Sequence, residues 1–133
     1  MKFWVVTLTT VLLSLTVRMS WAIGLGDIAT QSFVNGPLSA TIEVLQPNGL
    51  SEVEVIPSLA SIDDFDRLGL DRHYSLSRLL FEPDFSDSSR PVIRITTQEP
   101  LVEPYLSFLM ELKWPEGRIL REYTVFLDLP PRA

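Results

Sequence analysis

The chain has 133 residues, with 17 acidic and 11 basic side chains, one histidine and no cysteine, and its formal net charge is −6. This length suits one domain, and the lack of cysteine excludes disulfides, thiolate metal sites and a cysteine nucleophile. The acidic balance argues against nucleic acid or an anionic membrane surface as a partner, because like charges repel.

The first 22 residues have the pattern of a secretory signal peptide. Lys2 provides a short positive start, residues 3–17 are apolar or carry hydroxyl groups, and the segment ends in the small residues of a cleavage site at Ala22. The apolar run is short for a membrane span and is closed by Arg18, so we expect cleavage rather than a membrane anchor. The mature chain, 23–133, is then expected in the periplasm, with no transmembrane helix.

Alternation of apolar and polar residues predicts several strands in the mature chain. Residues 38–44 alternate cleanly, which is typical of a half-buried strand, and residues 52–55 alternate again after a Pro-Asn-Gly turn. Weaker patterns predict strands over 27–34, 79–85 and 91–97, with Pro83 ending the second of these. The terminal Pro-Pro-Arg-Ala, 130–133, is typical of the start of a linker.

One helix is predicted, from Ser61 to Gly69. Ser61 suits the N-cap, and the acidic residues that follow it complement the positive end of the helix dipole. Ile62, Phe65 and Leu68 share one face, and Gly69 ends the helix.

The long β-prone stretch Glu103–Asp128 predicts a hairpin, with Pro115-Glu116-Gly117 as a three-residue turn in which Gly117 adopts positive φ. The pairs that follow are Trp114 with Arg118, Leu112 with Leu120, Glu111 with Arg121, Leu109 with Tyr123, and Ser107 with Val125. This register places the apolar sets of the two strands on opposite faces. Either a bulge near Arg121–Glu122 moves the side chains of one strand to the other face, or other parts of the structure cover both faces of the hairpin.

These elements predict a mainly all-β fold. We expect an immunoglobulin-like β-sandwich of about seven strands, with one short helix in a crossover, over residues 23–129.

The sequence offers little chemistry. The one histidine, His73, lacks a nucleophile motif around it, and the acids near the helix and the 84–87 loop do not follow the spacing of a calcium loop. Glu52 and Glu54 alternate with valines, which places them on the wet face of a strand, where carboxylates keep ordinary acidity. We therefore predict no catalytic residue, no metal site and no cofactor.

Three residues are candidate contacts for a partner or a glycan. Trp114 and Tyr105 are able to stack on sugar, although aromatic residues in a hairpin more often pack in the core or at its rim. Arg118 is a basic residue in an acidic domain, and, like Arg94 and Arg121, it is more often paired with Glu across strands.

Short stretches that follow one another along the mature chain carry a family resemblance. They are Gly24–Ile28, Asn35–Ile42, Ser61–Leu70, Arg90–Thr97, Glu103–Leu109, Trp114–Arg118 and Leu120–Asp128. In this order they resemble the periplasmic N-terminal domain of FimV/HubP/TspA-type proteins of Gram-negative bacteria.

The resemblance implies a non-catalytic module linked to type IV pilus assembly, twitching motility and polar organisation. In the family this domain precedes a peptidoglycan-binding LysM domain, a transmembrane helix and an acidic cytoplasmic part. None of those parts lies in the present sequence, so their functions are not carried over.

The leading hypothesis is an exported structural or interaction domain whose partners are envelope or pilus-machinery proteins. The alternatives are a peptidoglycan- or glycan-binding module, and a chaperone-like module that accepts a partner strand at a sheet edge.

Overall fold

The computed structural model describes residues 23–30 and 32–129, and the predicted signal peptide and linker lie outside them. These residues form β1 Gly24–Thr30, β2 Pro37–Leu45, β3 Ile56–Leu59, α1 Ile62–Arg67, β4 Leu80–Asp84, β5 Val92–Pro100, β6 Tyr105–Trp114 and β7 Gly117–Phe126. Two 3₁₀ helices, Glu52–Glu54 and Tyr74–Arg78, complete the described elements. No helix in this part of the chain is long and apolar enough to cross a membrane.

The strands form two antiparallel sheets, ordered β1-β2-β5-β4 and β3-β6-β7. The α1 helix lies in the crossover that leads from β3 of one sheet to β4 of the other. Seven strands in two sheets with one short α-helix confirm the predicted immunoglobulin-like β-sandwich.

The core consists of the inward side chains of both sheets. Ile42, Ile93 and Ile95 of the first sheet are fully buried, as are Phe108 and Leu112 of the second. The clean alternation of β2 therefore follows from one face being in the core and one in water, as predicted.

The hairpin register differs by one residue from the predicted register. Gly117, and not Arg118, pairs with Trp114, so the turn has two residues, Pro115 and Glu116. The predicted pairs are therefore wrong, and the observed ones include Leu106 with Val125, Phe108 with Tyr123 and Leu112 with Ile119. This register places the apolar residues of both strands on one face, so the bulge that we considered near Arg121–Glu122 is not needed.

The prediction that Gly117 supplies positive φ is also wrong. Among the described glycines only Gly49 and Gly69 have positive φ. A Cβ at Gly117 would lie 3.3 Å from Cζ2 of Trp114, so what the glycine provides is room for the indole ring.

The strand predicted over 52–55 is wrong for a local reason. The Glu54 carboxylate accepts hydrogen bonds from the backbone N–H and the hydroxyl of Ser51, which closes a capping box around the 3₁₀ helix Glu52–Glu54. Val53 is 87% exposed and has no core position to favour a strand. The strand begins instead at Ile56.

Two prolines lie inside strands, including Pro83, which we expected to end one. Pro57 is in β3 and Pro83 is in β4. Both strands are at sheet edges, where the missing N–H of proline costs no ladder hydrogen bond.

The predicted helix is confirmed, with Ser61 as its N-cap and Gly69 beyond its end at a φ of 67°. Of the three apolar residues expected on one face, Phe65 is buried, whereas Ile62 and Leu68 are more than half exposed.

The side of the sandwich between edge strands β1 and β7 is closed by polar contacts. The Arg121 guanidinium donates to the carbonyls of Leu25 and Gly26 and pairs with the carboxylate of Asp27. The Tyr123 hydroxyl donates to the Gly26 carbonyl at 2.8 Å, and burial raises the pKa of Tyr123 to about 12. Arg121 therefore pairs with β1 and not with Glu111 as predicted.

Alanine substitutions at Gly69 and at Gly117 should lower the stability of the fold by different amounts. Gly69→Ala should lower the free energy of unfolding by about 1 kcal/mol, because its φ is positive. Gly117→Ala should cost less than about 0.5 kcal/mol, because its φ is ordinary and the half-buried Trp114 ring is able to shift. Urea unfolding measures both, and equal costs would contradict the observed register.

Candidate functional site

The outer face of the β3-β6-β7 sheet, which points away from the core, is the candidate functional surface. Residues that pair directly across antiparallel strands lie on the same face. The outer rows are Lys113 with Arg118, Glu111 with Leu120, Leu109 with Glu122, Ser107 with Thr124, and Tyr105 with Phe126. The α1 helix reaches these rows near the hairpin turn, where Asp64 of α1 contacts Arg118.

The rows near the turn form a charge cluster that joins α1 to the hairpin. Arg118 Nη1 lies 2.6 Å from Oε2 of Glu111 and 3.2 Å from Oδ2 of Asp64. The side chains of Asp64 and Glu111 are only 4% and 7% exposed. Arg67 also pairs with Asp64, and Lys113 Nζ lies 3.1 Å from Oε1 of Glu111. Both buried carboxylates are therefore neutralised by bases.

The local sequence prepares Asp64 for this role. Burial by itself would raise the pKa of Asp64, but the hydrogen bond from the Ser61 hydroxyl and the interaction with Arg118 outweigh it and hold the pKa below its ordinary value. In return, Glu111 and Asp64 raise the pKa of Arg118. Asp64 and Arg118 therefore stay ionised at neutral pH, which suits a stabilising ion pair and not proton transfer.

The rows far from the turn are open and aromatic. Tyr105 is 58% exposed and its cross-strand partner Phe126 is 72% exposed. The Ser107 and Thr124 hydroxyls of the next row share a hydrogen bond of 2.8 Å.

Two adjoining clefts, of about 80 and 280 Å³, lie beside these rows, and His73, Glu103, Tyr105 and Leu106 belong to the walls of both. The ring of Tyr74 stands 4.5 Å from that of His73 at the smaller cleft. We call the two clefts, with the exposed rings of Tyr74, Tyr105 and Phe126, the aromatic groove.

The three sequence-predicted contact residues lie in different places. Tyr105 lines the aromatic groove, whereas Arg118 belongs to the charge cluster. Trp114 is at the other end of the ten-residue strand β6, roughly 30 Å from Tyr105, and it points to the opposite face of the sheet. The structure therefore does not combine Trp114 and Tyr105 into one stacking platform, and their contact roles remain predictions.

Sequence reasoning missed Phe126 and Tyr74. Phe126 shares a row with Tyr105 only in the observed register, so the one-residue error hid it. Tyr74 begins a 3₁₀ helix that no periodicity indicated. His73 is exposed and caps this helix by accepting from the Ser75 N–H.

No group of three or more His, Cys, Asp or Glu side chains that would suit a metal ion occurs among residues 23–30 and 32–129.

The comparisons with known proteins agree on one family. The chain matches the FimV N-terminal domain, described as an Ig-like domain, over residues 23–130. It is 49% identical over 116 residues to the motility hub protein FimV from each of two strains of Pseudomonas aeruginosa. These alignments cover 87% of this chain and 13% of each relative, so the chain spans about one-eighth of the length of the relatives. No solved structure shows a significant match.

The charge cluster predicts a pH-dependent effect of Arg118→Met. Asp64 has a folded pKa below its unfolded value, so its contribution to stability is present above the unfolded pKa of about 4 and is lost as the pH falls through the folded pKa. Arg118→Met should lower the urea midpoint at pH 7, because two buried carboxylates lose a partner.

The difference from the wild-type midpoint should shrink as the pH falls below about 4, where protonation removes the charge of Asp64 that the guanidinium stabilises. Arg90→Met, at an exposed position outside the cluster, serves as the control. An Arg118→Met deficit that does not change with pH would contradict the pairing.

Proposed function

The chain belongs to the family of FimV N-terminal Ig-like domains, and from this membership we propose that it is a non-catalytic, periplasmic interaction domain of a FimV-like protein. Its relatives are motility hub proteins, and we extend that role to type IV pilus assembly, twitching motility and polar organisation. The signal-peptide pattern of residues 1–22 supports export. The expected partners are proteins of the envelope or the pilus machinery.

The observation that carries this proposal is the aromatic groove. Exposed tyrosine and phenylalanine rings beside a concave surface are typical of protein interfaces, where aromatic side chains supply large contact areas. The buried carboxylate of Asp64, by contrast, has a lowered pKa because of its contacts with Ser61 and Arg118, which does not suit acid–base catalysis.

Glycan binding is the second candidate, and the smaller cleft favours it. Its walls combine the rings of Tyr74 and Tyr105 with the polar pair Arg78 and Glu99, whose charged atoms are 2.5 Å apart. An aromatic wall with a few polar groups is the usual composition of a small-ligand cleft.

Strand capture at a sheet edge has weaker support. Edge strands β3 and β4 each contain a proline, and edge strand β7 carries Arg118, Arg121 and Glu122. Proline and charge are the features that discourage edge pairing.

The interaction role predicts a loss of function without a loss of fold. Tyr105→Ser combined with Phe126→Ser, introduced into the native gene, should reduce twitching motility severalfold or more, because residues that bind through aromatic rings often dominate an interface. The free energy of unfolding should change by less than about 1 kcal/mol, since both rings are mostly exposed. Twitching-zone diameter and thermal unfolding measure the two effects.

The matched control replaces two exposed apolar residues outside the groove, Val53→Ser with Ile62→Ser. Motility of the groove variant at the level of this control would contradict the interaction role.

The glycan candidate is tested separately by co-sedimentation of the protein with purified sacculi. If the smaller cleft binds glycan, Tyr105→Ala should reduce the bound fraction severalfold, whereas Trp114→Ala should not, because Trp114 lies at the far end of β6. No sedimentation of the wild-type protein, or equal binding by both variants, would remove this cleft as the glycan site.

A further inference from the structure

We propose that the aromatic groove binds a polypeptide segment that carries both Lys or Arg and apolar side chains. This inference rests on the proposed interaction function and specifies the chemistry of the partner. It follows from three exposed carboxylates that lie beside exposed aromatic rings and make no ion pair within the described residues.

Three exposed carboxylates border the groove. Asp71 and Glu122 line the larger cleft, and Glu103 lines both clefts. None of the three makes a hydrogen bond or an ion pair within residues 23–30 and 32–129. Arg78, in the wall of the smaller cleft, already pairs with Glu99. Arg72 lies over the ring of Phe65 at the larger cleft, so among the described residues one arginine without a carboxylate partner stands against three such carboxylates.

Other carboxylates of the fold are paired within it: Asp64 and Glu111 with arginine on the same face, and Asp84 with Arg94 on the other sheet. The three acids of the groove carry charge that the fold does not compensate, and they differ from the unpaired acids elsewhere in lying beside exposed aromatic rings and a cleft. Such a surface attracts a cationic partner and disfavours an anionic one.

The apolar part of the partner is indicated by the exposed side chains between these acids. Tyr74 and Val102 are about three-quarters exposed, and Tyr105 and Phe126 are more than half exposed. Contact with the apolar portions of a partner would remove their surface from water. A segment with both cationic and apolar side chains would therefore contact the acids and the rings at once.

Two other occupants fit less well. A second copy of this chain that docked the same surface by two-fold symmetry would bring two sets of unpaired acids together. An uncharged glycan strand would use the rings but leave the three carboxylates unpaired.

The test places a photo-crosslinking amino acid at Tyr105 of the protein expressed from its native gene in its own cells. Mass spectrometry then identifies the crosslinked segment. We expect a polypeptide with an excess of Lys and Arg over Asp and Glu, and with apolar side chains among them.

Reversing the groove charges should weaken this contact. Asp71→Lys, Glu103→Lys and Glu122→Lys together should reduce the crosslinking yield by at least about threefold, since exposed ion pairs each contribute modestly. The matched control is Glu43→Lys, Glu82→Lys and Glu116→Lys, which makes the same change in net charge at exposed positions outside the groove. The control should keep the wild-type yield.

Thermal unfolding of each triple variant verifies the fold. If the Lys variant is unstable, Asp71→Asn with Glu103→Gln and Glu122→Gln removes the charges with less perturbation and should also lower the yield. Any of four results overturns the inference: a segment without basic excess, a glycan adduct, an adduct with a second copy of this chain, or no adduct. An equal loss of yield in the control does so as well.

Motility separates this inference from the function on which it rests. A loss of motility in the Tyr105 and Phe126 variant, together with a crosslinked acidic segment, would leave the interaction role standing and remove the cationic partner. A crosslinked cationic segment together with unchanged motility would support the cationic partner and contradict the role in motility.

Discussion

The Arg118 guanidinium holds the outer layer of this domain in place, because it neutralises two buried carboxylates from different elements. Asp64 lies on α1 and Glu111 on β6, and neither would be stable in a buried position without a cationic partner. The ion pairs of Arg118 with Asp64 and Glu111 hold the short helix α1 over the residue pairs near the hairpin turn. A helix of six residues lacks intrinsic stability, so this contact and the burial of Phe65 decide where it lies. The opposite end of the same face is left open.

Edge strand β7 uses two arginines on opposite faces. Arg118 points outward to the charge cluster, and Arg121 points inward, where it donates to backbone carbonyls of β1. The odd spacing of the two residues makes this division a direct result of the pleat. Arg121 and Tyr123 satisfy carbonyl groups at the edge of the first sheet that would otherwise lack partners, so the two sheets are joined along this side without a disulfide.

This distribution of charge separates a structural half of the outer face from an accessible one. In the structural half, acids and bases compensate each other around Arg118. In the accessible half, aromatic rings are exposed, and the side chains of Asp71, Glu103 and Glu122 make no ion pair within the described residues. The remainder of the sandwich supplies a rigid support for this surface.

Local patterns in the sequence predicted the strands other than β3, the helix cap at Ser61, the helix end at Gly69 and the fold class, because alternation and capping depend on near neighbours. Only the tertiary structure decided the hairpin register, where a turn shorter by one residue moved every pair and brought Phe126 beside Tyr105. It also decided the charge cluster, since Asp64 and Arg118 are 54 positions apart. Neither periodicity nor composition specifies which distant residues meet, because that depends on how whole sheets and helices pack.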